Sequence, residues 1–199
     1  MLPLTLDLSD WPVLLVGDGR AALARLAMLD AAGARRLTVF AEAPSEAMRQ
    51  GAGAARLVPR MPTDAEVAAA RLLFVAGVPD AEAGRLAEVA RAHRVLVNVE
   101  DVPPLCDAYA LAMVRRGNLV IGVSTEGRSP AVARVLRQWL EARFGPEWES
   151  RLEQAAAMRD RMRTEGAAPP DITAATARML EGWLEPPPPG AAAGATLGG

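Results

Sequence analysis

Asp101 is the residue whose position invites chemistry. It lies in NVEDVPPLCD at 98–107, just past an apolar run. A carboxylate there can accept a proton while a hydride leaves a substrate, although a solvated loop acid is an equal reading of the residue alone. Further on, VSTEGRSP at 123–130 supplies the hydroxyls of Ser124 and Thr125, then Gly127, Arg128 and Ser129 ahead of Pro130. A cation beside the exposed N–H groups of a helix start suits carboxylate ligands. Asn98 completes this group of candidate substrate contacts.

A hydride needs an acceptor, and the sequence GDGRAA at 17–22 offers a place for one. Gly17, Gly19 and Ala22 match the G-x-G-x-x-A form of the dinucleotide fingerprint. The first glycine makes the turn, the second lets backbone approach a pyrophosphate, and the alanine lets a helix pack on its strand. Asp18 and Arg20 lie on the same turn, Arg20 reading either as a phosphate contact or as a surface charge. The ribose acid of such sites falls about 20 residues on, where Glu42 follows Ala41. Glu42 would hold ribose hydroxyls and favour NAD over NADP, or is simply a solvated glutamate. Ala76 and Gly77, after a later apolar run, would line the same cofactor.

These residues depend on the elements that carry them. Short apolar runs at 13–16, 37–40, 56–58, 72–76 and 95–99 read as strands. Alanine-rich segments at 21–32 and 81–92 have helical spacing. The alternation predicts an α/β fold, a Rossmann-like parallel sheet covered by helices, with Asp101 at its carboxyl edge and Glu100 turned away by strand alternation. Beyond Tyr109, YALAMVRR and LVIGVS flank Gly117 and Asn118 as a tight hairpin. Ser129 should cap a helix with Pro130 at its first position and Val132, Val135, Leu136, Trp139 and Leu140 along one face. Helices are expected at 147–163 and 172–184, broken at 166–170. The expected division is a nucleotide-binding domain at 1–108, a hairpin and helix at 109–146, a helical region at 147–185 and a disordered tail at 186–199.

Composition narrows the function classes. The chain has 199 residues, 51% of them apolar, enough to bury a real core. With 22 basic and 24 acidic residues, its net charge of −2 gives no global attraction to nucleic acid or anionic membranes. One cysteine, Cys106, and one histidine, His93, exclude a disulfide framework and leave no resident metal site expected. No apolar run is long enough to span a membrane and no signal peptide is visible, so a soluble cytoplasmic protein is expected. A serine hydrolase lacks a placed histidine, and a Tyr-x-x-x-Lys reductase is excluded because the chain has no lysine.

Four pieces in order carry a resemblance: LPLTLDL, VLLVGDGRAALARLAMLDAAGA, NVEDVPPLCD and RRGNLVIGVSTEGRSPAVARVLRQWLE. Together they resemble the precorrin-2 dehydrogenase domain of siroheme synthases, some of whose members are also sirohydrochlorin ferrochelatases. The resemblance implies NAD-dependent oxidation of precorrin-2 to sirohydrochlorin, on the route to siroheme or cobalamin. Asp101 then matches the catalytic aspartate, and Gly17, Gly19 and Ala22 the cofactor loop. Thr125 falls where some members carry a phosphorylatable serine.

The resemblance further implies a homodimer built by the hairpin and following helices, and in bifunctional members ferrous iron as a second substrate. The tetrapyrrole is expected between the cofactor edge and the hairpin-helix region. No counterpart of the fused methyltransferase domain is read in this chain, so methylation is expected from another protein. Two departures stand out: Ala76, Gly77, Val78 and Pro79 stand where the family has Ala-Thr followed by acidic or amide residues, and Ala108 and Tyr109 follow Asp107 in place of Phe and Pro. They keep open a second reading, a nucleotide- or tetrapyrrole-binding protein of the same fold with weakened catalysis.

Overall fold

The computed structural model describes residues 1–184 and divides the chain into two compact units, Met1–Leu111 and a second from Ala112 onward. The division falls a few residues past the expected boundary at 108. The tail expected at 186–199 lies outside the described residues.

The first unit holds five parallel strands: β1 (Pro12–Val16), β2 (Arg36–Phe40), β3 (Leu57–Val58), β4 (Leu72–Val75) and β5 (Leu96–Val99). Their order is β3-β2-β1-β4-β5, that of a doubly wound dinucleotide fold. Registers run Val16 to Phe40, Val16 to Val75 and Val75 to Val99, so the carboxyl ends of β1, β2, β4 and β5 form one row.

The strands β1 and β4 are apolar without interruption because both faces are covered. Alternate residues go to opposite faces. Val13, Leu15, Leu37, Val39, Leu72 and Phe74 pack with α1 (Gly19–Ala31) and α2 (Glu46–Ala52). Leu14, Val16, Phe40, Leu73, Val75, Val97 and Val99 pack with α3 (Asp64–Ala68) and α4 (Asp80–Ala92). On α1 the buried face is Ala22, Leu26 and Leu29, and on α4 it is Ala83, Leu86, Ala87 and Ala90, both at helical spacing.

Sequence periodicity does not reveal α2 and α3, which are 7 and 5 residues long. Both begin at side-chain caps. Ser45 accepts from Met48 N–H, and Thr63 with Glu66 forms a capping box. Glu66 also takes two bonds from Arg60, at 2.7 and 2.8 Å. The Arg60 guanidinium, followed by Thr63 N–H, holds the Glu66 carboxyl at about 2, well below its ordinary 4.5. A depressed folded value means the contribution is complete above pH 4.5 and lost as pH falls towards about 2. Glu66→Gln is therefore expected to flatten the pH dependence of the denaturant midpoint across that interval. A slope equal to the native chain's would discount this cluster.

In the second unit, β6 (Ala112–Arg116) and β7 (Leu119–Val123) pair antiparallel across Gly117 and Asn118. Gly117 takes φ +54, which a two-residue hairpin demands of its first loop position. Three helices follow: α5 (Pro130–Arg143), α6 (Trp148–Thr164) and α7 (Pro169–Leu184). The last starts at Pro169, earlier than expected at 172, because Pro169 and Pro170 occupy the first turn, where proline costs no intrahelical bond.

Trp148 is buried, 4.9 Å from the Phe144 ring and 6.1 Å from that of Trp183, with the Arg151 guanidinium against both indoles. The end of α5 is thereby joined to α6 and α7, across the boundary expected at 146. Among the described residues no helix is long and apolar enough to cross a membrane.

Candidate functional site

The row of strand ends in the first unit gathers the β1–α1, β2–α2 and β4–α4 turns and the residues after β5. Gly17 has φ +117 and donates its N–H to Phe40 C=O at 2.8 Å. A Cβ there would lie 1.8 Å from Ala76 O, and one on Gly77, at φ +70, would lie 2.2 Å from Asp18 O. The two turns interlock backbone to backbone, and only glycine fits at either contact. Ala76 is buried and donates to Val16 C=O at 2.9 Å.

Gly19 is different. At φ +84, a Cβ on it would meet nothing within 4 Å. That open ground beside the N-terminus of α1, with Arg20 exposed in the first turn and Ala22 fully buried beneath, has the form a pyrophosphate requires. Ala41 is buried past β2, and Glu42 beside it is exposed. Asp18 caps α1, its carboxylate accepting Gly19 N–H at 2.6 Å, Ser45 N–H at 2.6 Å and Ser45 O–H at 2.9 Å.

Asp101 stands in the turn immediately after β5, exposed, with φ +57. Left-handed backbone is tolerated by Asp and Asn far better than by most side chains. Since β4 alone separates β5 from β1, Asp101 and Gly19 share a sheet edge, about 10 Å apart along the strand-to-strand direction. Glu100 lies on the α1 face of the sheet, the face of Phe74 and opposite that of Val99, and pairs with Arg25 of α1, whose guanidinium lies 6.0 Å from the Phe74 ring centre. Alternation thus holds through Glu100, and the chain leaves the extended conformation at Asp101.

Asn98 is buried, and its amide donates to Ala108 C=O at 2.9 Å, while its Oδ1 has no partner. This side chain holds the returning segment against the end of β5. Cys106 acts in the same closure: its Sγ accepts Val99 N–H at 3.2 Å and donates to Val99 C=O at 3.1 Å. Asp107 and Ala108 N–H groups both reach Val97 C=O. His93 is an exposed helix end.

The remaining candidates belong to the second unit. Thr125 Oγ1 donates to Ser129 C=O at 3.1 Å and accepts Ser129 N–H at 3.3 Å, while Ser124 Oγ accepts Glu126 N–H at 3.1 Å. Ser129 caps α5 through Val132 N–H at 3.3 Å, and Gly127, at φ +77, and Arg128 are exposed on the loop. The two hydroxyls thus close their own loop. Arg116 is taken up by the end of α5, donating to Phe144 C=O at 2.8 Å and Glu141 C=O at 3.2 Å. Among the described residues no three His, Cys, Asp or Glu side chains gather as a metal site.

A parallel sheet of this order with a glycine turn at its first strand-to-helix junction defines a Rossmann-like nucleotide-binding protein. The chain belongs to the family described as "Putative NAD(P)-binding", which matches residues 4–112, more than half of its length. It is 34% identical over 163 residues to a siroheme synthase of Methylococcus capsulatus, covering 81% of this chain and 34% of that one. Siroheme synthase 1 of Pectobacterium atrosepticum is 33% identical over 165 residues, covering 82% and 34%. The chain therefore spans about a third of the length of these curated relatives. Among solved structures, SirC, precorrin-2 dehydrogenase, superposes with a TM-score of 0.73 over 92% of this chain and 91% of that one, at 17% identity, a likeness of fold.

Proposed function

We propose that this protein is an NAD-dependent precorrin-2 dehydrogenase, forming sirohydrochlorin for siroheme or cobalamin. The observation that carries the reading is the common sheet edge of Gly19 and Asp101. When bound, a nicotinamide cofactor supplies the hydride acceptor. The α1 turn with Gly17, Gly19, Arg20 and Ala22 would hold its pyrophosphate, Glu42 its ribose, and Ala41, Ala76 and Gly77 its remaining contacts. Asp101 accepts the proton lost as the hydride departs and returns it to water, so the substrate gives up two electrons and two hydrogens. Gly127, Arg128 and Ser129 are assigned to the substrate's carboxylates, with Ser124 and Thr125 shaping that loop. The reading extends to ferrous iron as a second substrate, inserted into sirohydrochlorin in the manner of bifunctional siroheme synthases.

The assay is direct: the chain, precorrin-2 and NAD⁺, followed by NADH absorbance and the sirohydrochlorin spectrum, with ferrous iron added in a second arm. Dinucleotide or tetrapyrrole binding without NADH would overturn the enzyme reading in favour of a binding protein.

The same reading includes a homodimer through α5. Val132, Val135, Leu136 and Trp139 are 48, 62, 44 and 61% exposed, an apolar stripe that water covers in the isolated chain. Trp139→Glu is expected to convert a dimer to a monomer in sedimentation equilibrium. A native chain that sediments as a monomer at micromolar concentration refutes the assignment.

A further inference from the structure

Resting on the dinucleotide reading above, one contact in the first unit bears on which dinucleotide is accepted. The Asp18 carboxylate joins the glycine turn to the loop after β2, taking Gly19 N–H through Oδ1 and both donors of Ser45, its N–H and its hydroxyl. In dinucleotide folds these are the two loops that face the pyrophosphate and the adenosine ribose. Ser45 also caps α2 and lies three residues beyond Glu42. Burial pushes the Asp18 carboxyl up, but the bonds from Gly19 and Ser45 and the charge of Arg49 outweigh it, and the group titrates below its ordinary value. It is an anion at neutral pH. Arg49, the cation that α2 brings towards this corner, lies 3.8 Å from Glu46 as well.

NAD brings a neutral 2′-hydroxyl to the ribose corner, whereas NADP brings a phosphate of about two negative charges. Such a phosphate needs free donors and net positive charge. Here the donors of Ser45 are already bonded, the bonding group is itself negative, and Glu42 adds a second carboxylate.

The geometry points to Asp18 as a specificity-determining residue, one that excludes NADP by fixing a negative charge at the ribose corner and by occupying both donors of Ser45. This goes beyond the ribose role of Glu42, because it places the discrimination in the glycine turn itself and requires Ser45 to transmit part of it.

The test is calorimetric titration of the full chain with NAD⁺ and with NADP⁺, so that no turnover is needed. The native chain is expected to prefer NAD⁺ by at least tenfold. Asp18→Ser keeps a capping hydroxyl on α1 while releasing Ser45, and should shrink that preference by about tenfold or more, through tighter NADP⁺ rather than weaker NAD⁺ binding. Adding Ser45→Ala should cancel part of the gain, since the freed donors are what the phosphate uses. Asp18→Asn, of the same shape, removes the charge while its Oδ1 can still accept from Gly19 and the Ser45 hydroxyl, and is expected to give a smaller shift of the same sign should the serine variant fail to fold.

If NAD⁺ binds normally and the Asp18 variants bind NADP⁺ no better than the native chain, the specificity role is overturned and the dinucleotide reading stands. If the native chain binds neither dinucleotide, both fall.

Discussion

Gly17→Ala is expected to cost the amino-terminal unit about 3–5 kcal/mol, whereas Gly19→Ala should cost only about 1 kcal/mol and leave it folded. The difference follows from what each missing Cβ would meet. At Gly17 it would sit 1.8 Å from the Ala76 carbonyl oxygen, and backbone held in the β1–β4 ladder cannot move aside cheaply. The φ of +117 adds strain that no L-residue relieves. Against a typical stability of roughly 5–15 kcal/mol, such a loss removes a large share of the margin by which the unit stays folded. At Gly19 the Cβ meets nothing within 4 Å, so the penalty is conformational alone. The methyl would instead stand in the space assigned to the pyrophosphate, and dinucleotide affinity should fall at least tenfold. Urea denaturation and NAD⁺ titration of the two variants separate the effects. Equal stabilities would show that the interlock of the two turns contributes little.

The second large effect is chemical. Asp101→Asn is expected to lower kcat by roughly 100- to 10,000-fold while moving KM only a few-fold, the usual range for loss of a general base. Asparagine is the informative replacement because it shares the tolerance of aspartate for left-handed backbone, and the φ of +57 can persist. Alanine would confound loss of the carboxylate with strain in the turn. Measured by NADH formation from precorrin-2, turnover equal to the native chain's would remove Asp101 from the reaction. Loss through KM alone would make it a substrate contact.

Much of the fold is legible before any coordinates. Buried parallel strands are continuous apolar runs, and β1 and β4 are written that way, while Gly117 with Asn118 and Ser129 with Pro130 mark the hairpin and the start of α5. The short helices are illegible to periodicity, since one or two turns cannot repeat a pattern. Thr63 followed by Glu66 is nonetheless a readable start signal for α3. Of the candidate site, the order of elements is enough to put Gly19 and Asp101 on one edge. What the side chains hold is not written locally: Arg25 and Glu100 are 75 residues apart, and Asp18 and Ser45 are 27 apart. Asn98, Ser124 and Thr125 look like ligand contacts by type, yet each spends bonds on its own backbone surroundings.

The strand order β3-β2-β1-β4-β5 also sets a timetable for synthesis. The first strand to leave the ribosome is the one that ends in the middle of the sheet. It can pair with β2 early, but its other edge stays open until Leu72–Val75 has emerged, and the strand that precedes Asp101 joins last. During that interval the nascent chain displays an apolar strand edge with no partner, the condition under which chains aggregate or engage chaperones. Translation speed across 41–71, which contains the two short helices and β3, therefore governs how long the nascent unit remains exposed to misassembly.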